Sequence, residues 1–307
     1  MGGMTRLAPR RPASAIALAI GAAMLLAGPS AALAAPAAFA PWIDGTAASE
    51  PEMQVQAIDA DTFVIRQSVK TNFEAPFLYL LFGKTGALLI DTGAGGLKVR
   101  PTIERVIAQW RAAHGGRPVH LTVAHSHSHG DHHAGDDEFA GRADTTLVGL
   151  KPADVAAAFH VASWPSGEGR IDLGGRVIAV IPTPGHENAH AMYYDAKTQL
   201  LFSGDMLYPG RLYVPVNHFA EFHDSAHRLA AFAKTHPIRA LLGAHIEMTT
   251  TPGKDYPMEA PVHASEHPLA LPPSAIAELV ESVDHMGETP VRDARADFIV
   301  FPVPPRP

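Results

Sequence analysis

Residues His125-Ser126-His127-Ser128-His129-Gly130-Asp131-His132-His133 place five histidines and one aspartate within nine positions. Imidazole nitrogens suit zinc and iron, and a carboxylate among them adds a hard oxygen ligand. One frame alone gives His-x-His-x-Asp-His: His127, His129, Asp131 and His132. A frame starting at His125 would put His129 where the aspartate must stand, which leaves His125 a bystander. Side chains two apart on an extended segment point the same way, so His127 and His129 can grip one ion together. Asp131 and His132 follow the turn at Gly130 and can face a second ion. The plainer alternative is a histidine-rich surface loop that takes up metal incidentally; the ordered spacing argues against it.

A second constellation, His186-Glu187-Asn188-Ala189-His190, fits His-Glu-x-x-His, the pattern of a zinc metalloprotease. That chemistry needs a helix to bring both histidines to one ion. Here Pro184-Gly185 precede the motif and an apolar run follows it, so a turn and then a strand are expected. The glycines of Asp91-Thr92-Gly93-Ala94-Gly95-Gly96 lack the G-x-G-x-x-G spacing of a dinucleotide site and are expected to turn the backbone tightly beside a functional site. His114, His120, His160, His218, His223, His227, His236, His263, His267 and His285 show no ligand spacing and read as surface or internally satisfied residues.

These residues must be held by regular elements, and the hydrophobic pattern supplies them. Strands are expected at 53–58, 62–69, 77–82, 87–90, 119–124, 145–150, 176–181, 192–194, 200–203 and 238–242, with helices at 101–113, 152–164, 220–235 and 273–286. Strands and helices alternate in two successive halves, and most candidate ligands fall just past the C-terminal end of a strand. In layered α/β folds that is where ligands bind.

Residues 1–35 differ in kind. Arg6, Arg10 and Arg11 precede an apolar run from Ala13 to Ala27 and the motif Ala32-Leu33-Ala34, the pattern of a signal peptide. The run is shorter than the roughly 20 residues a spanning helix needs, so export without stable membrane insertion is expected, to the periplasm or beyond. Arg10-Arg11 permits twin-arginine export. Residues 36–50 read as a loose arm, 51–307 as the catalytic domain, and about 251–307 as a Pro-rich extension. The net charge of −7 becomes about −10 once three arginines leave with the leader. Nucleic acid, whose affinity rests on neutralised phosphates, is therefore a poor partner, and a small molecule is the expected one. With no cysteine there are no disulfides and no thiolate ligands. The oligomeric state leaves no mark on the sequence.

Four motifs in order, His127-x-His129-x-Asp131-His132, Thr183-Pro184-Gly185-His186, Ser203-Gly204-Asp205 and Gly243-Ala244-His245, resemble those of the metallo-β-lactamase-fold hydrolases over about Met53 to His245. The resemblance implies an α/β fold of four layers, an αββα sandwich with a dinuclear metal site at one edge. It assigns His127, His129 and His186 to one ion, Asp131, His132 and His245 to the other, and Asp205 to bridge them, with Asp91 in support from behind. Two divalent ions, zinc first and iron or manganese as alternatives, would lower the pKa of a bridging water and supply hydroxide for attack on a carbonyl. Asp131 could also accept a proton. Tyr208 and Tyr213 stand where they either donate to the developing oxyanion or pack as amphipathic walls, and His190 stands either in the pocket wall or behind the site.

The missing cysteine excludes the branch that uses one as ligand, and Asp205 resembles the glyoxalase II, lactonase and RNase Z groups more than a dedicated β-lactamase. Export and acidity disfavour RNase Z, and the Pro-rich tail lacks the basic helical character of a glutathione-binding one. The expectation is an exported dinuclear hydrolase of a small ester, thioester or lactone. The alternatives are a β-lactamase-like amide hydrolase, an inactive metal-binding protein and the metalloprotease above.

Overall fold

A computed structural model describes residues 1–3 and 39–305; the expected leader lies almost wholly outside the described residues. Six strands form the first sheet in sequential order: β1 (Met53–Asp59), β2 (Thr62–Gln67), β3 (Phe77–Phe82), β4 (Gly86–Ile90), β5 (His120–Ala124) and β6 (Thr145–Leu147). The second sheet contains β7 (Gly169–Asp172), β8 (Val177–Pro182), β9 (Ala191–Asp195), β10 (Leu200–Gly204), β12 (Ala240–Gly243) and β13 (Ala270–Leu271), in the spatial order β13-β12-β10-β9-β8-β7. A small third sheet orders β11 (Arg211–Pro215), β15 (Ile299–Val303) and β14 (Asp293–Ala294). The helices are α1 (Arg100–Ala113), the single turn α2 (Gly130–His133), α3 (Pro152–Phe159), α4 (Phe219–Ala233) and α5 (Ser274–Met286).

Alternation along the strands explains the layering. On β3, Phe77, Tyr79 and Leu81 pack with Val180, Tyr193, Phe202 and Leu242 of the second sheet. Leu78, Leu80 and Phe82 point the other way, onto Ile103, Val106 and Trp110 of α1. The second sheet repeats the arrangement, with Met192, Leu201 and Leu241 turned toward Phe222 and Leu229 of α4 and Leu279 and Val283 of α5. A strand buried on both faces must be apolar throughout, which is why Phe77–Phe82 reads as an unbroken run. The result is the expected αββα sandwich.

Register then builds one edge. β4 and β5 run parallel with Ile90 opposite Ala124, so Asp91 and the histidine cluster leave the sheet side by side. β10 and β12 run parallel with Gly204 opposite Gly243, which does the same for Asp205 and His245. The Phe77 amide donates to Ala244 O at 2.7 Å and ties the two sheets together at this edge.

Several local expectations change. The helix expected at 152–164 ends at Phe159, because His160 takes a left-handed conformation (φ 59°) and caps it. Residues 39–50 are not a loose arm: Phe39 and Trp42 pack on the core between the sheets, and Gln54 and Gln56 bind the backbone of Ile43 and Ala40. The expected C-terminal extension holds β13, β14 and β15 besides its helix. Among the described residues no helix is long and apolar enough to cross a membrane.

Candidate metal centre

The first cluster forms where β5 ends. His127 Nε2 and His129 Nδ1 lie 2.9 Å apart, and His186 Nε2 stands 3.2 Å and 2.9 Å from them. His186 arrives from the turn after β8. Its Nδ1 donates to Tyr213 O at 2.6 Å, which leaves Nε2 with a lone pair aimed into the cluster.

The second cluster uses α2. Asp131 Oδ2 is 3.0 Å from His132 Nε2 and 3.4 Å from His245 Nε2, and the two imidazole nitrogens are 3.3 Å apart. His245 Nδ1 donates to Glu74 O at 2.8 Å, and His132 Nδ1 to Asp91 Oδ2 at 3.0 Å. Each ring is thereby fixed with its outer nitrogen hydrogen-bonded and its inner one free to ligate. Asp205 stands between the clusters. Its Oδ2 is 3.6 Å from His186 Nε2 and 3.7 Å from His132 Nε2, while Oδ1 is 3.5 Å from His245 Nε2.

The donor set fits two divalent ions. Lone pairs facing one another at about 3 Å repel unless a cation sits among them, and ligand bonds of about 2.0–2.1 Å put neighbouring tetrahedral donors roughly 3.3 Å apart. Asp205 Oδ1 is buried with no hydrogen-bond partner among the described residues. Protonation tells the same story. Burial, with help from the neighbouring imidazoles, holds His127 well below its ordinary value. Burial opposes the positive charge on His132 and His245 as well, yet the surrounding carboxylates raise His132 well above normal and His245 to about 10. Asp131 and Asp205 are held well below the usual carboxylate range; burial resists this, but His132 and His245 outweigh it. The site calls for positive charge beside its carboxylates.

Support comes from behind. Asp91 sits at φ 68°, and its carboxylate accepts from the Ser126 amide at 2.7 Å, the Ser126 hydroxyl at 2.9 Å and His132. His190 lies behind the site rather than in the pocket wall. Its Nε2 accepts the Asp205 amide at 3.1 Å, its Nδ1 meets Thr183 Oγ1 at 2.8 Å, and burial together with His186 pushes its pKa down to about 3. Residues 186–190 form a turn and not a helix, so His186 and His190 do not converge on one ion and the metalloprotease reading falls. Gly204 is required here: its φ is +52°, and a Cβ would come within 2.7 Å of Ser126 Cβ. His125 stays outside both clusters, paired with Asp136 at 2.8 Å.

The clusters open on a cavity of about 570 Å³. The two tyrosines divide. Tyr208 is buried and its hydroxyl donates to Arg211 O at 2.5 Å, so it is not free to reach a substrate. Tyr213 accepts the Arg211 Nε–H at 2.8 Å, and its own proton has no acceptor among the described residues. Sequence reasoning missed the far wall, made by Tyr256, Met258, Phe301, Val303 and Pro304. It also missed Ser126, whose hydroxyl links Asp91 to His127 and His132, although its place inside the histidine run was a usable signal. Glu74 serves through a backbone carbonyl, for which a sequence holds no signal.

A family model described as the metallo-beta-lactamase superfamily matches residues 72–245. A hydroxyacylglutathione hydrolase from Rhizobium meliloti is 32% identical over 133 residues, which cover 42% of this chain and 50% of that one. The acyl-coenzyme A thioesterase MBLAC2 of Gallus gallus is 24% identical over 207 residues, covering 56% of this chain and 72% of that one. The chain thus spans about half the length of the hydroxyacylglutathione hydrolases it matches. The solved structure of TMB-1 superposes with a TM-score of 0.50 at 14% identity over 77% of this chain and 99% of that chain, a likeness of fold. Since the family model spans more than half of its length, this protein belongs to the metallo-beta-lactamase superfamily.

Proposed function

We propose that this protein is an exported hydrolase that uses two divalent metal ions, zinc first, to cleave a small ester, thioester or lactone. The observation that carries the reading is the pair of three-donor clusters bridged by Asp205 at the floor of one cavity. When bound there, the metals would polarise a carbonyl and supply hydroxide near neutral pH. His127, His129 and His186 would hold one ion and Asp131, His132 and His245 the other, with Asp205 shared. On this reading Asp131, which lies on the cavity wall, would serve first as a ligand and also as the acceptor of a proton. Tyr213 is placed to donate its hydroxyl proton to charge developing on the substrate oxygen, because the Arg211 guanidinium already fills its acceptor side.

The cavity also selects. Arg211 is the one arginine or lysine among the described residues that line it, and Glu247 and Asp255 pair with it at 2.9 Å each. Glu74, Glu247 and Glu259 lie on the same walls, beside an apolar rim that includes Phe73, Phe301 and Val303. Apart from the two metal ions themselves, the described lining residues offer a substrate carboxylate or phosphate no unpaired arginine or lysine, so a neutral acyl compound suits these walls better than an anionic thioester. The names of the curated relatives support thioester cleavage, and the leader pattern of residues 1–35 supports export.

The test is a zinc-loaded panel of a neutral lactone, an aryl ester, an anionic and a neutral thioester, and a chromogenic β-lactam, run beside Asp131→Ala. Turnover of a neutral ester, thioester or lactone that Asp131→Ala abolishes is the expected result. Silence with two metals bound would move the substrate outside these bonds, and failure to bind metal would overturn the reading altogether.

A further inference from the structure

Away from the cavity, α4 and α5 pack through Phe222, Ala226 and Leu229 against Leu279, Val283 and Met286. At the edge of this seam stand three residues that can ligate metal. His223 and His227 are one turn apart on α4, so their imidazoles share a face, with ring centroids 4.6 Å apart. From α5, Asp284 Oδ1 reaches both Nε2 atoms, at 2.9 Å and 2.7 Å. All three side chains are between a third and a half exposed, so solvent has access to the cluster. The candidate donor atoms lie within 4.8 Å of one another.

The geometry points to a third metal site, for a single zinc-class divalent ion held by His223, His227 and Asp284. Two imidazoles and one carboxylate are a recognised zinc donor set, with water to complete the fourth position. As the side chains stand, one carboxylate oxygen takes two imidazole N–H groups. An ion among them needs each ring to carry its proton on Nδ1, a small adjustment for half-exposed imidazoles. The His223 Nδ1 already lies 3.6 Å from Asp224 Oδ1, on the side such a proton would face. The role is a brace. Asp284 sits in the last turn of α5, which leads through β14 into β15, and the residues at the end of β15 line the cavity. The ion would pin the base of that wall to α4 without touching the reacting atoms.

The experiment uses the full chain, first brought to two bound zinc ions, followed by further zinc in equilibrium dialysis with elemental analysis. The native protein is expected to take one more equivalent in the micromolar range. The doubly substituted His223→Ala/His227→Ala protein should take none in that range, and Asp284→Ala should bind it at least about tenfold more weakly. Zinc at a hundred times its dissociation constant should raise the native melting temperature by about 5 °C more than that of the double variant. Circular dichroism checks that the variants fold, and their hydrolytic activity at saturating catalytic metal should be unchanged. Equal binding by the native protein and the double variant would overturn the site. Unchanged affinity in Asp284→Ala would overturn it too, by leaving only an adventitious pair of helix imidazoles. Either failure leaves the two-ion centre standing, because that stoichiometry is fixed first.

Discussion

Asp91→Asn separates a metal-positioning carboxylate from a space-filling one. Asn matches Asp in shape and, like it, tolerates the left-handed backbone found here at φ 68°, so the backbone has no reason to move. The hydrogen bonds do change. Oδ1 accepts the Ser126 amide, and Oδ2 accepts both the Ser126 hydroxyl and His132 Nδ1. An amide NH₂ must occupy one of these positions. Facing Ser126 N, it sets two donors against each other and strands a buried amide. Facing His132, it drives the ring proton from Nδ1 to Nε2, the atom that must ligate. Either route costs about 1–3 kcal/mol for the unsatisfied donor, which corresponds to roughly 10–100-fold in metal affinity, the scale seen when partners of ligating histidines are removed. The assay is zinc dissociation measured against a competing chelator, with kcat/KM followed as a function of free zinc. The variant should lose occupancy of one ion at limiting zinc and recover much of its activity at excess. Native zinc affinity with an unchanged melting temperature would refute the reasoning, since the carboxylate would then be filling space only.

Three further outcomes follow from the contacts. Tyr213→Phe should lower kcat by about tenfold or more with KM little changed, if its hydroxyl meets the developing oxyanion; Tyr208→Phe should leave kcat near native and lower stability by about 1 kcal/mol, because it removes a buried hydroxyl that reaches Arg211 O and Glu247 Oε2. Arg66 is fully buried and forms a two-pronged ion pair with Glu266, 200 residues away in sequence. Glu266→Ala should cost about 3–5 kcal/mol, since it strands a buried cation, and thermal unfolding reads it as a fall of roughly 5–9 °C. For Asp293, partial burial pulls upward, but the Ser282 hydroxyl and Arg295 hold the carboxyl below its ordinary 3.8. A depressed acid stabilises the fold above its unfolded-state value and loses that contribution as pH falls through the folded one. Asp293→Asn should therefore melt slightly below the native protein at pH 7, by a margin of about 0.2–1 kcal/mol. The difference should shrink as pH falls below about 3.8 and vanish once it passes the lower folded-state value.

The candidate ligands were legible because metal chemistry restricts them to a few residue types and the strand ends restrict their spacing. His127, His129, Asp131 and His132 lie within six positions, and His186, Asp205 and His245 each follow an apolar run that could hardly be other than a strand. Register was not legible, and register is what sets Asp91 beside Ser126 and Asp205 beside His245. The helix ending at Phe159 was missed for a local reason. His160 adopts a left-handed conformation that a sequence seldom assigns to anything but glycine or asparagine. The docked segment at 39–50 was missed because Pro and Ala give no periodicity, while its anchors, Phe39 and Trp42, are single residues.

The wall residues form a different class of problem, and the two tyrosines show why. Tyr208 and Tyr213 follow Asp205 within eight positions and are equal candidates by type. Their roles are decided by Arg211, whose backbone carbonyl accepts from Tyr208 while its Nε–H donates to Tyr213. Arg211 is itself held by Glu247 and Asp255, and its strand β11 pairs with β15 from the far end of the chain. The state of one hydroxyl thus depends on an ion-pair network and on a parallel pairing more than 80 residues distant. The same dependence brings the C-terminal segment into the cavity wall. Substitutions at Phe301 or Val303 should therefore change which acyl groups are accepted while leaving metal binding intact, whereas changes at His127 or Asp205 should abolish both together.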